Sequence, residues 1–173
     1  MLKEIAPRLT RAALMANPKT TPYYYFLRGA EAAASSLAIE LLPSPVETVA
    51  DIESVIESVA HVPNGGLILP PDATTILHHD LIIALAARYR LPTVYALREF
   101  VVAGGLMAYS SDIIEQNRQA ASYVDQILRG ANPAELPVQA PTKFKTFDNL
   151  KTARALGLDV PSLMLVRADE VIE

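Results

Sequence analysis

Residues Asn64–Asp112 read NGGLILPPDATTILHHDLIIALAARYRLPTVYALREFVVAGGLMAYSSD, and three short apolar runs inside this stretch decide the fold. The runs are Leu67–Leu69, Thr93–Leu97 and Leu106–Tyr109. Each gives way to polar residues: Asp72-Ala73-Thr74-Thr75, Arg98-Glu99 and Ser110-Ser111-Asp112. An amphipathic stretch, Thr75–Tyr89, lies between the first two, and a small segment closed by Gly104-Gly105 precedes the third. This alternation predicts strand–helix–strand units in a parallel sheet. Ligands bind outside the carboxyl ends of strands in such sheets. The polar residues stand at those ends, so a small-molecule site is expected there.

Upstream the same grammar continues. Ala12–Ala16 reads as a first strand ending at Asn17-Pro18, and Thr21-Pro22 offers an N-cap with proline at the first helical position. Phe26, Leu27, Ala30, Ala33, Ala34 and Leu37 follow at helical spacing. Ile39–Leu42 is a second strand, ended by Pro43 and Pro45. Thr48 with Asp51 resembles a capping box, and Val49, Ile52, Val55, Ile56 and Val59 mark the buried stripe of the next helix. Downstream, Ser111 or Asp112 caps a long helix that Gly130 terminates. Leu136–Pro141 reads as an extended linker, Lys143–Phe147 as a last strand, and Asp148 as the cap of a short helix closed by Gly157. Pro161–Glu173 is expected to be a final helical segment. The fold class is α/β: a parallel sheet in three α/β/α layers. Residues 1–110 form the ligand-binding lobe, and residues 111–173 add the long helix, linker and return elements.

Composition narrows the functions. At 173 residues, 51% hydrophobic and 20% charged, the chain suits one soluble domain with a substantial core. A net charge of −4 without a basic run argues against nucleic acid. No apolar stretch approaches membrane-spanning length. The count of 0 cysteines excludes disulfides and thiolate chemistry. The start, MLKEIAPRLTRAALMA, is interrupted by Glu4 and Pro7 and does not read as a signal peptide.

The candidate ligand-binding residues are Asn17, Tyr23, Tyr24, Asp72, Thr74, Arg98, Glu99 and Tyr109. Asp72 and Thr74 serve there either as N-caps or as contacts to a polar ligand group. Arg98 can clamp a carboxylate bidentately and Glu99 can accept from an ammonium, although a charged pair at a strand end is commonly a solvated pair. In Tyr23-Tyr24-Tyr25-Phe26, four consecutive aromatics cannot all face a core, so one or two offer a stacking surface for a ring. His78-His79-Asp80 suggests metal, but adjacent helical positions point about 100° apart. No metal or other cofactor is expected. No Gly-x-Ser-x-Gly elbow and no Gly-x-Gly-x-x-Gly loop is present, and no catalytic residue is assigned.

Three further passages carry a resemblance: Leu97–Ser110 (LREFVVAGGLMAYS), residues 121–161 (ASYVDQILRGANPAELPVQAPTKFKTFDNLKTARALGLDVP) and the ending VRADEVIE. Together with Leu2–Pro7 (LKEIAP), they resemble the ABC-transporter substrate-binding proteins of the TrpX-like type, across essentially the whole chain. The resemblance implies one lobe of a type I periplasmic-binding-protein fold. Members have two α/β lobes with ligand between them, and this chain looks like the second lobe plus the return elements, truncated of the first. The implied function is solute binding for an ABC permease, with a small polar, aromatic or amino-acid-like ligand at the strand ends. The alternative is a small α/β enzyme or effector-sensing module using the same pocket. The implied location is periplasmic; the chain as given, without a signal peptide, is expected in the cytoplasm. The Ser111–Arg129 helix keeps Ile113, Ile114, Ala120, Ala121, Val124, Ile127 and Leu128 on one stripe, so a homodimer through that helix is expected.

Overall fold

β1, Arg11–Ala16, is buried almost end to end, as a strand covered on both faces must be. The computed structural model describes residues 1–173. β1 lies between β2, Glu40–Pro45, and β3, Leu67–Leu69. β4 (Thr93–Tyr95), β5 (Met107–Ser111), β6 (Phe144–Asn149) and β7 (Glu170–Ile172) complete a seven-stranded sheet of order β2-β1-β3-β4-β5-β6-β7. The pairs β1–β2, β1–β3, β3–β4, β4–β5 and β6–β7 are parallel. The α/β parallel-sheet expectation holds.

The period of two along each strand separates two cores. Ala13 and Met15 of β1, Leu67 and Leu69 of β3 and Tyr95 of β4 join Ile52, Ile56 and Val59 of α3 (Val49–Ala60) and Ile82 and Leu85 of α5 (His79–Arg88). On the opposite face Leu14 and Ala16 pack with Tyr23 and Leu27 of α2, Tyr23–Ser36. Farther along, α1 (Leu2–Ile5), Met107, Ala153 of α8 (Leu150–Leu156) and Met164 of α9 (Ser162–Arg167) form a separate cluster. Each fully buried aliphatic side chain adds about 1.5–3 kcal/mol.

The expected capping box is present: the Thr48 hydroxyl accepts from Asp51 N, and the Asp51 carboxylate accepts from Thr48 N. Asp72 caps α4, Ala73–Leu77, through its own carboxylate. The helix expected over Thr75–Tyr89 is instead two, α4 and α5, meeting at His78. Gly104 and Gly105 close α6, Arg98–Val102, for separate reasons. Gly104 has φ +110°, and a Cβ on Gly105 would stand 2.6 Å from a Tyr95 ring carbon and 2.7 Å from the Phe100 carbonyl oxygen.

Three boundaries differ from expectation. β2 runs through Pro43 and Pro45 instead of stopping before them, because it is an edge strand. The cap of α8 is Asn149, whose carboxamide oxygen accepts from Thr152 N, and Asp148 is buried. The expected terminal helix contains α9 but ends in strand β7.

The chain divides into two compact units: Met1–Tyr109 with Thr146–Glu173, and Ser110–Lys145. The return elements 146–173 thus join the unit that holds residues 1–109, a grouping different from the 1–110 and 111–173 division read in the sequence. The second unit is α7, Ile113–Leu128, followed by a 3-10 turn at Pro133–Glu135 and an extended tail. Asp112 caps α7 and pairs with Lys145 at 3.1 Å, and Tyr123 donates its hydroxyl to the Pro137 carbonyl oxygen. None of the α7 side chains is buried.

Candidate functional site: the carboxyl edge of the sheet

Adjacent parallel strands β1, β3, β4 and β5 deliver Asn17, Asp72 with Thr74, Arg98 with Glu99, and Tyr109 to one edge of the sheet. Asp72 and Arg98 therefore end neighbouring strands on the same side, as a common site requires.

Asn17 and Thr74 form the polar centre. Asn17 is buried, its Nδ2 donates to Thr74 Oγ1 at 2.9 Å, and its Oδ1 accepts from Lys19 N at 2.9 Å. The carboxamide is thereby held in one orientation. Thr74 is half-buried, and its hydroxyl accepts the Asn17 hydrogen bond while keeping its own hydrogen as a donor. Asp72 is 3% exposed; its Oδ2 accepts from Thr75 N at 2.9 Å, and its Oδ1 accepts from the Thr20 hydroxyl. The Thr21 hydroxyl donates to the Pro71 carbonyl oxygen, a second tie between the same two turns. Asp72 thus fixes the turn on which Thr74 is carried. The sequence pattern offers Thr21 as an N-cap with Pro22 first in the helix, but α2 begins at Tyr23 with Pro22 at the cap position, and the Thr21 hydroxyl is spent on Pro71. Thr20 carries no signal of its own in the sequence.

The other candidates are placed differently. The Tyr23 ring is buried, and its hydroxyl donates to the Leu14 carbonyl oxygen at 3.0 Å while accepting from Ser44 N at 2.7 Å. Burial raises its pKa, the Ser44 hydrogen bond working against that shift. Tyr23 pins β1 to β2. Tyr24, by contrast, is 67% exposed, its ring meeting that of Tyr23 edge-on at 5.6 Å. Arg98 turns to Glu170 of β7, donating from Nε at 2.7 Å and from Nη2 at 2.6 Å. These bonds raise the Arg98 pKa. Glu99 is exposed on the first turn of α6. His79 packs edge-on against Phe100 with ring centroids 5.9 Å apart, and Asp80 lies beside it.

Beside the polar centre, on the α2 side of the sheet, lies an apolar groove of about 1100 Å³. Its floor is Leu14, Ile68 and Val94, from β1, β3 and β4. One wall is the face of α2 that carries Gly29 and Ala33, and Tyr109 also lines it. Pro71, the residue before Asp72, joins the groove to the polar turn. Asn17, Asp72 and Thr74 lie outside it, so polar and apolar recognition surfaces adjoin without merging.

Among solved structures the chain is similar to a conserved domain protein from Vibrio cholerae O1 biovar eltor, with TM-score 0.88 and 24% identity over 98% of this chain and 57% of that one. It is similar also to the ABC domain in complex with L-Trp from Streptococcus pneumoniae, at TM-score 0.90 and 20% identity, covering 99% and 58%. A third is the ligand-free, open form of a substrate-binding protein with adhesive properties from Clostridium difficile, at TM-score 0.72 and 19% identity, covering 99% and 57%. Identities this low establish the fold alone, and the chain spans well under two thirds of each of these proteins. No curated protein is a detectable sequence relative. The family model for ABC transporter substrate-binding proteins matches residues 1–172. The chain belongs to the ABC transporter substrate-binding protein family.

Proposed function

We propose that this chain is the solute-binding component, or one lobe of it, of an ABC-type uptake system, and that it holds a small polar, aromatic or amino-acid-like ligand at the carboxyl edge of its sheet. The observation that carries this reading is the Asn17–Thr74 hydrogen bond at 2.9 Å, which joins the ends of β1 and β3 and leaves an oriented hydroxyl at that edge. Asp72 supports it from behind, Glu99 stands on the next strand end, and Tyr24 and Tyr109 supply exposed rings for stacking. Arg98 joins the ligand set only by leaving Glu170. Family membership supports work outside the cytoplasmic membrane, in partnership with a permease. No helix is long and apolar enough to cross a membrane.

The chain acts by binding and not by catalysis. An enzyme needs an acid–base pair or a nucleophile with its base in reach. Of the polar groups at this edge, Asp72 is engaged in capping and Arg98 in an ion pair. The lobe is of the type I arrangement, and the exposed apolar stripe of α7 supports self-association as a homodimer.

Calorimetry with a panel of amino acids and aromatic acids tests the reading. Heat from at least one member, lost in Thr74→Val with the fold retained, is the expected result. Equal titrations for both proteins would place the ligand elsewhere.

A further inference from the structure

At the carboxyl edge of the sheet both cations that end its strands are neutralised within the chain, while three carboxylates have no cation of their own. Lys19, after β1, meets Glu47, after β2, at 2.6 Å. Arg98, after β4, gives two N–H groups to Glu170 at 2.7 and 2.6 Å, and Glu99 beside it brings a second carboxylate to the same cation. Asp72, after β3, meets only uncharged donors, the Thr20 hydroxyl and the Thr75 amide. Asp51, on the first turn of α3, is held likewise by the Glu47 and Thr48 amides and the Thr48 hydroxyl. Arg28 lines the groove, and the polar turn lies outside it. The edge is therefore left negative around its polar centre.

We propose that this lobe takes the protonated amine end of its solute, seated on the Thr74 hydroxyl oxygen, and turns a free carboxylate away. This rests on the solute-binding reading above and names the charge class that the edge selects. Thr74 Oγ1 keeps a lone pair after accepting from Asn17, so it can receive an ammonium N–H. The charge behind that contact is Asp72, two residues back on the same turn. At 3% exposure its field passes through protein more than through water, where it is far less screened. A solute carboxylate at the same place meets that field with the wrong sign. The guanidinium that would offset it is held by Glu170. Glu170 is thereby a specificity residue as well as a fastening of β7, because it withholds the fork that fits a carboxylate.

Amide NMR titration of the 173-residue chain tests the proposal with three probes that share one ring. Phenethylamine carries the amine alone, hydrocinnamate the carboxylate alone, and phenylalanine both. Phenethylamine is expected to move the Asn17 and Thr74 amides and to bind about fivefold tighter than hydrocinnamate, as one weakly screened charge would arrange. Phenylalanine should fall between them. Asp72→Asn removes the charge and keeps a capping side chain for α4, so it should lower phenethylamine affinity and leave the fold intact by circular dichroism. Glu170→Gln releases Arg98 and should raise hydrocinnamate affinity. Hydrocinnamate bound at these amides as tightly as phenethylamine overturns the amine preference and leaves the solute-binding reading standing. A preference unchanged in both variants overturns Asp72 and Glu170 as its source, and the proposal with them. No movement of these amides with any probe at millimolar concentration overturns the proposal and the solute-binding reading together.

Discussion

Arg98 and Glu170, 72 positions apart, are joined by two N–H donors on one carboxylate, so the residue that ends β4 is tied to the outermost strand β7. A bidentate pair fixes geometry, and a solute carboxylate would have to compete with Glu170 for the same fork. At 46% and 37% side-chain exposure the pair is open to screening by salt. Arg98→Ala is therefore expected to leave solute affinity unchanged and to lower the melting temperature slightly in low salt. That loss should vanish near 1 M, where the screening length is about 3 Å. A calorimetric loss of binding in this variant would return Arg98 to the ligand set.

Tyr23→Phe separates a structural aromatic from a recognition aromatic. It removes the hydroxyl that bridges the Leu14 carbonyl and the Ser44 amide, leaving both backbone groups short of a partner. The expected cost is about 1–3 kcal/mol in urea unfolding. Solute binding by the folded variant should match the parent. An unchanged unfolding midpoint would show that the bridge contributes nothing.

Asp148 is the buried carboxyl whose Oδ1 has no hydrogen-bond partner, and burial raises its pKa above the ordinary value of 3.8, with the Met1 ammonium only partly offsetting this. The folded state therefore favours the protonated form more than the unfolded chain does. Its contribution is fully present below the unfolded value and is lost as the pH rises through the folded one. Asp148→Asn should stabilise the protein at pH 7 by about 1 kcal/mol and give no gain in strong acid. Chemical denaturation at the two pH values distinguishes this from a uniform effect.

The chain alone is expected to bind its solute weakly. A single lobe leaves the far side of the ligand in water, forfeiting apolar burial and the second set of polar contacts. Calorimetry should return no dissociation constant below the micromolar range. A sub-micromolar value for the monomer would show that this edge suffices by itself.

The central strands were legible because an all-apolar run bounded by proline or glycine admits few readings, as at Leu67–Leu69 before Pro70-Pro71. The Thr48–Asp51 cap was legible because its partners are three residues apart. β7 was not: Glu170-Val171-Ile172 is short, half-buried and set among charges, and only its pairing to Phe147–Asn149 makes it a strand. The break at His78 carries neither proline nor glycine. At the site, strand-end position identified Asn17, Asp72 and Thr74 as neighbours. The uses of Arg98 and Tyr23 depended on Glu170 and Ser44, distant partners that no local pattern announces.

The prolines of β2 reach beyond their own strand. Pro43 and Pro45 lie opposite Leu14 and Ala16 in register, and neither can donate a backbone hydrogen bond to a further strand. At the far edge β7 offers only three residues. Growth of the sheet by edge-to-edge addition, the first step toward fibrils, is thus blocked on one side and curtailed on the other. The two margins of this sheet are therefore poor templates for a further copy of it.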